Sequence, residues 1–195
     1  MGINGKVRGY FIIRNEYRKG FGDLITALKK KFNLYVVSGD NDAEKNFLKQ
    51  YLDVNNLVFH QQPIDKLNFI KQLQTEKGKV MMLGDGLNDA GALKQADVGI
   101  AISDDVNNFS PACDGIIEAT RFPQLNSFLQ FSIDGVSIIK ASFVISLLYN
   151  LLGLSFAVQG TMSPIVAAIL MPISSVTIIV FTTLASNFWG NRRGF

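Results

Sequence analysis

The chain has 195 residues, a formal net charge of +3 and a single cysteine. One cysteine excludes a disulfide framework and fits a reducing compartment. The positive charge is modest, and the sequence has no basic patch with interleaved aromatic residues. We therefore expect no nucleic-acid partner.

Strand-like and helix-like segments alternate along the first part of the chain. The predicted strands are residues 10–13, 34–37, 57–59, 80–83, 98–102 and 115–118, and the predicted helices are residues 21–31, 42–52, 66–76 and 90–96. The segments at residues 21–31 and 66–76 carry leucine and isoleucine at helical spacing, and the strands are short apolar runs. Because strands that alternate with helices pair in parallel, we predict an open α/β sheet.

The most informative segment is the end of the strand at residues 80–83. It is followed by Asp85, Asn88 and Asp89, at the carboxyl edge where open α/β sheets bind ligands. Their oxygen atoms suit a hard cation such as Mg²⁺. Gly84 and Gly86 let the backbone approach a phosphate closely. The alternative is an acidic turn that caps the following helix.

Two other points on the predicted sheet carry polar groups. Ser38-Gly39-Asp40 follows the strand at residues 34–37, so a hydroxyl and backbone N–H groups can bind a phosphoryl oxygen there. A plain turn or helix cap is the alternative for Ser38. Lys66 opens a predicted helix, where a cation is unfavourable against the helix dipole unless it serves another group. We expect it to reach the same phosphoryl group.

The last part of the chain is chemically different. Residues 141–191 contain no Asp, Glu, Lys, Arg or His, whereas a soluble domain needs charged faces. A bilayer-spanning helix needs about 20 mostly apolar residues, so we predict two spans, at residues 141–158 and 164–184. The alternative is a pair of buried helices in a large soluble core.

Basic residues flank the two predicted spans. Lys140 precedes the first span, and Arg192 and Arg193 follow the second. Both ends of the hairpin are therefore expected in the cytoplasm. The predicted domains are a soluble domain at residues 1–133, a transmembrane hairpin at residues 134–190 and a cytoplasmic tail at residues 191–195.

These motifs together resemble the C-terminal part of a P-type ATPase. Ser38-Gly39-Asp40, Pro63 with Lys66, and the Gly-Asp-Gly-x-Asn-Asp string at residues 84–89 occur in the order and rough spacing of that family's phosphorylation domain. The resemblance implies a haloacid-dehalogenase-like fold in which an aspartyl phosphate forms and is hydrolysed. It covers nearly the whole chain.

The same resemblance implies roles for the polar residues. Asp85 would hold Mg²⁺, and Asn88 and Asp89 would support that metal site. Ser38 and Lys66 would contact the phosphoryl group. The nucleotide, ATP, would bind mostly outside this chain.

The two predicted spans narrow the subgroup to the heavy-metal ATPases. Tyr149-Asn150 in the first span and Met171-x-x-Ser174-Ser175 in the second resemble the copper(I) pumps. A thioether is a soft ligand that suits Cu(I), and Met171 and Ser175 lie on one helical face. We expect Cu(I) export, with Tyr149, Asn150, Met171 and Ser175 at the site of the transported metal. A lipid-facing Met171 and a helix-packing Asn150 are the alternatives.

Two motifs of that family do not occur in this sequence. They are the Asp-Lys-Thr-Gly string that carries the phosphorylated aspartate and the Cys-Pro-Cys pair of the transport site. We therefore predict that this chain alone has no ATPase activity and is a fragment of a longer pump in the plasma membrane. Its expected partners are membrane lipid, the missing N-terminal part and a metallochaperone. The alternatives are a pump for another transition metal, a regulatory half-pump and a membrane-tethered phosphatase, which would need a nucleophilic aspartate that Arg14-Asn15 does not offer.

Overall fold

The computed structural model describes residues 17–104, 112–160 and 163–195, with Gly9 and the strand backbone of residues 2–3 and 6–7. The chain divides into two compact units, Met1–Gln124 and Leu125–Phe195. The predicted domain boundary after residue 133 falls within a helix that begins at Leu125.

Parallel strands form the centre of the first unit. After an antiparallel pair, β1 (Gly2–Ile3) with β2 (Lys6–Val7), every described strand pair is parallel. The later strands are β3 (Val36–Val37), β4 (Leu57–Val58), β5 (Met81–Gly84), β6 (Val98–Ser103) and β7 (Gly115–Glu118). Strand β3 pairs with β4, and the other three form a sheet in the order β5-β6-β7. The predicted parallel α/β architecture is confirmed. The predicted strand at residues 10–13 lies outside the described residues.

Helices connect these strands. They are α1 (Phe21–Lys29), α2 (Lys45–Leu48), α3 (Pro63–Lys77) and α4 (Ala90–Gln95), with 3₁₀ turns at Asp42–Glu44, Val54–Asn56 and Ala119–Gln124. Helix α3 begins before the predicted residue 66. Pro63 fits the first helical position because no N–H is needed there, and the Gln62 backbone N–H donates to Asp65 at 3.0 Å.

The predicted helix at residues 42–52 is shorter in the structure. A 3₁₀ turn precedes α2, which ends at Leu48, and the chain then turns rather than continuing as a helix. This path buries Leu48, Leu52 and Leu57 in one apolar cluster. Packing of these leucines therefore outweighs the helix propensity of this segment and determines its local conformation.

A second apolar cluster positions the helices beside β5. Ile70 of α3 and Ala92 of α4 are buried in it, and Met82 of β5 packs against them. The close packing fixes both helices on the same strand. The first turn of α3 and the start of α4 consequently meet near the carboxyl end of β5.

The second unit consists of two long helices, α5 (Leu125–Val158) and α6 (Pro164–Arg193). Both are long and apolar enough to cross a membrane. The predicted end at residue 158 and start at residue 164 agree with the helices. Helix α6 continues through Pro172 and past the predicted end at residue 184.

The far end of α6 is tied to the start of α5. The Arg193 guanidinium donates to Asp134 at 2.8 Å. Gly194 adopts a left-handed conformation with φ of 89°, a common way to end a helix. The ring of Phe195 then stacks on Phe128 with centroids 4.7 Å apart. These contacts explain why both helices extend beyond the predicted spans.

Candidate functional site

Strand β5 ends in a tight loop that presents Asp85. Gly86 has a φ of 86°, a conformation that glycine adopts without steric cost. The Asp85 carboxylate accepts two hydrogen bonds from Asn88, one from the backbone N–H at 3.1 Å and one from Nδ2 at 2.9 Å. Both side chains belong to exposed residues. The loop therefore orients the Asp85 carboxylate at the carboxyl edge of the sheet, and its role there stays a prediction.

Asp89 precedes α4, but its side chain does not cap that helix. Instead, Nζ of Lys66 lies 2.6 Å from Oδ1 of Asp89, and the two side chains are only 15% and 13% exposed. Opposite charges attract most strongly where water is excluded. Asp89 thus offsets the unfavourable position of the Lys66 ammonium in the first turn of α3.

Gly84 provides the space for this ion pair. A Cβ atom at this position would lie 2.8 Å from Oδ2 and 2.9 Å from Cβ of Asp89. From the sequence, we expect a glycine at position 84 because it lets the backbone approach a phosphate closely. The structure gives a second reason, because only glycine lets the Asp89 side chain lie across the end of β5.

Ser38-Gly39-Asp40 forms a turn directly after β3. The backbone N–H of Asp40 donates to Oγ of Ser38 at 3.1 Å, and the N–H of Gln61 donates to the Ser38 carbonyl at 3.0 Å. Ser38 therefore lies in a turn, as the alternative interpretation of this segment predicted, and its contact with a phosphoryl group stays a prediction. Because Oγ accepts in this turn, the single hydroxyl hydrogen of Ser38 can still donate to a phosphoryl oxygen.

A cavity of about 300 Å³ borders the carboxyl ends of β5 and β6. Its lining includes Asp85, Gly84, Tyr17, Arg18 and Phe21. Arg18 also donates to Asp104 at 3.0 Å, and this guanidinium lowers the pKa of the Asp104 carboxyl. Tyr17 and Arg18 were not predicted from the sequence, because they lie in a segment without a recognisable pattern.

At the carboxyl end of β5, one carboxylate, that of Asp85, is suited to binding Mg²⁺. Within the described residues, no three His, Cys, Asp or Glu side chains gather into a metal site. Mg²⁺ is commonly held by one or two carboxylates, with water and phosphate oxygens completing its shell. Asp85 can supply such a carboxylate beside the cavity, whereas the charge of Asp89 is already balanced by Lys66.

The four residues predicted at the transport site lie in the second unit, and they differ from one another in exposure and in hydrogen bonding. Asn150 is exposed, and Met171 is 73% exposed. Ser175 donates to the carbonyl of Met171 at 3.4 Å. The hydroxyl of Tyr149 lies 3.3 Å from Oγ1 of Thr177, a residue that sequence reasoning missed. Its only signal was a hydroxyl within an apolar span.

Comparison with known proteins covers both parts of the chain. Residues 2–97 match a family model described as haloacid dehalogenase-like hydrolase. This match includes the Ser38 turn, Lys66 and the loop after β5.

Curated relatives extend the similarity beyond that domain. The "Probable copper-importing P-type ATPase A" of Enterococcus hirae is 29% identical over 178 residues, covering 90% of this chain and 24% of that protein. The "Probable copper-transporting ATPase PacS" of Synechocystis is 27% identical over 186 residues, with 95% and 25% covered. The "Zinc-exporting P-type ATPase" of Mycobacterium marinum is 28% identical over 188 residues, with 92% and 25% covered. The chain spans about a quarter of the length of these relatives.

Proposed function

Because this chain carries a haloacid dehalogenase-like domain and is related to P-type ATPases along most of its length, we propose that it is the C-terminal portion of an ATP-driven copper pump. It supplies the Mg²⁺ and phosphoryl site and part of the membrane site for the metal, and it serves export of Cu(I) across the plasma membrane. The soluble unit lies in the cytoplasm.

The arrangement after β5 is the observation that carries the proposal. Asp85 is exposed beside a cavity and is oriented by two hydrogen bonds from Asn88. An oriented carboxylate at the end of a parallel strand is suited to holding a cation together with a phosphate. Mg²⁺ bound there would neutralise charge on the phosphoryl oxygens.

The other polar side chains of the predicted site have separate tasks in this proposal. Asp89 holds the Lys66 ammonium in place at 2.6 Å, and the ammonium, which has three N–H donors, gives another of them to a phosphoryl oxygen. Ser38 donates its hydroxyl hydrogen to another phosphoryl oxygen. Asn88 keeps Asp85 in one orientation, so that little reorganisation is needed when the charge on the phosphate changes.

The membrane part of the proposal rests on Met171 and its neighbours. Met171 is 73% exposed on the surface of α6, so its thioether is accessible to cargo or to other helices of a longer pump. A thioether favours a soft cation such as Cu(I). Asn150, Tyr149 and Ser175 supply oxygen atoms from the same helix pair.

A pump for another transition metal is the second candidate, and similarity to a protein named as a zinc exporter favours it. Metal-stimulated ATP hydrolysis by the complete pump separates the two. We expect stimulation by Cu(I), a strong loss of it in Met171→Ala, and little change in Val176→Ala, which alters an exposed apolar residue of the same helix. Stimulation by Zn²⁺ alone would establish the second candidate.

The Mg²⁺ assignment is tested with this chain in lipid nanodiscs. Mn²⁺ serves as a paramagnetic probe of the site, and its displacement by Mg²⁺ is followed by electron paramagnetic resonance. Asp85→Asn should weaken Mn²⁺ binding by at least about tenfold, whereas Asp53→Asn, an exposed carboxylate in another part of the unit, should not. Unchanged binding in Asp85→Asn would show that Asp85 does not hold the metal. In the complete pump, the same variant should abolish turnover of the phosphoenzyme.

A further inference from the structure

Hydroxyl groups of α6 give their hydrogen atoms to the backbone of that helix. Ser174 donates to the carbonyl of Met171 at 2.8 Å, and Thr177 donates to the carbonyl of Ile173 at the same distance. A hydroxyl has one hydrogen and two lone pairs. Each of these side chains can therefore only accept a hydrogen bond from any further partner.

This count of hydrogens settles the direction of the bond between the two helices. The Tyr149 and Thr177 oxygens are 3.3 Å apart, and geometry alone allows either to donate. The hydrogen of Thr177 is already given to Ile173 at a shorter distance. Tyr149 is therefore the donor, and its oxygen is left with lone pairs only for anything else that it contacts.

We propose that Thr177 is a positioning residue for the transported cation, because it accepts the phenolic hydrogen of Tyr149 and leaves an electron-rich oxygen for the cargo. The inference rests on the proposed function, in which Tyr149 faces a transported metal ion. A cation is attracted by lone pairs and repelled by the positive end of an O–H bond. Without Thr177, the phenolic hydrogen is released to point at the cargo.

A purely structural role is the competing explanation for the Tyr149–Thr177 bond. Hydrogen bonds between membrane helices also hold the helices together. Such a role predicts a loss of stability in Thr177 variants. It does not predict that Cu(I) affinity changes together with the hydrogen-bonding state of Tyr149.

Three variants of the full chain in nanodiscs separate these explanations. Thr177→Val removes the hydroxyl at nearly constant shape, and Thr177→Ser keeps it. Thr182→Val is the matched control, because its hydroxyl also donates to a backbone carbonyl, that of Ile178 at 2.9 Å. Cu(I) affinity is measured by competition with a chelator. Ultraviolet resonance Raman spectra report whether Tyr149 donates, and a Tyr149→Phe spectrum identifies its band.

We expect Thr177→Val to weaken Cu(I) binding by about threefold to tenfold, the equivalent of one hydrogen bond, and to change the Tyr149 band. Thr177→Ser should restore both properties, and Thr182→Val should alter neither. Equal Cu(I) affinity in Thr177→Val and wild type would overturn the inference, as would an unchanged Tyr149 band. If wild type binds no Cu(I) while the Raman band shows a donating Tyr149, the bond direction is correct and the proposed cargo is wrong.

Discussion

Lys66 and Asp89 form a largely buried ion pair that joins the first turn of α3 to the residue before α4, with 2.6 Å between Nζ and Oδ1. Removing one partner leaves the other charge buried and unpaired. We expect Lys66→Met to lower the free energy of unfolding of the first unit by about 3 kcal/mol. Hydrogen exchange of peptides from β5 and α4, followed by mass spectrometry, measures this loss.

Lys79→Met is the control for that experiment. Lys79 also lies 2.6 Å from a carboxylate oxygen, but its side chain is 91% exposed. Exposed pairs contribute little to stability because water screens their charges. The double variant Lys66→Met/Asp89→Leu should be more stable than Lys66→Met because no unpaired charge remains. Equal protection in Lys66→Met and Lys79→Met would contradict the buried pair.

Gly99 allows β6 to pack against the end of α4. A Cβ atom there would meet the carbonyl oxygen of Leu93 and lie 2.9 Å from its carbonyl carbon. Backbone atoms cannot move aside as a flexible side chain can, so Gly99→Ala should destabilise the unit by about 2 kcal/mol. Gly115→Ala in β7 is the matched variant, because no described atom lies within 4 Å of its Cβ position. Chemical denaturation should show a loss for the first variant and none for the second.

Asp97 makes the stability of the first unit sensitive to acid. It accepts from Lys79 at 2.6 Å, Gln74 at 2.9 Å and the Val80 N–H at 3.0 Å. These bonds, that of Lys79 above all, lower the pKa of Asp97. A lowered carboxyl pKa contributes stability above the unfolded-state value of about 4. The contribution is small here because the Lys79 side chain is 91% exposed and water screens the pair. That contribution is lost as the pH falls toward the folded-state pKa.

The measurement is the denaturation midpoint of the first unit between pH 7 and pH 2. Wild type should lose stability below about pH 4, and Asp97→Asn should show a flatter profile in this range. Asp42→Asn, an exposed residue elsewhere, should keep the wild-type profile. Bonding to Asp97 also raises the pKa of Lys79, so the Lys79 contribution is present at neutral pH and lost only above the unfolded-state lysine pKa of about 10.4.

Phe195 should stabilise the pairing of α5 with α6. Its ring stacks on Phe128 at 4.7 Å and meets Phe131 at 5.6 Å. Each aromatic pair contributes about 0.5–1.5 kcal/mol beyond area burial, so Phe195→Ala should lower the midpoint of unfolding in mixed micelles. Trp189, the single tryptophan of the chain, reports this transition by fluorescence. Phe143→Ala, which removes a 70% exposed ring from α5, should leave the midpoint unchanged.

Local sequence patterns predicted the elements whose causes are local. The loop after β5 is one example, because Asp85 and Asn88 are close in the chain and bond directly. The start of α6 is another, since Pro164 suits the first helical position and Ser163 caps the helix by accepting from the Val166 N–H at 3.3 Å. Helix boundaries elsewhere, such as the end of α2, depended on which leucines the core could bury.

The sequence by itself determined the parallel α/β class, the two long apolar helices and the polar groups at the end of β5, because hydrophobic period, charge distribution and turn residues act over a few neighbours. Only the tertiary structure decided that Lys66 pairs with Asp89 across 23 positions and that Tyr149 bonds to Thr177 across 28. The physical reason is that such contacts depend on how helices are rotated and packed against their neighbours. The hydrophobic period within one helix does not specify its rotation against a neighbouring helix closely enough to predict such a contact.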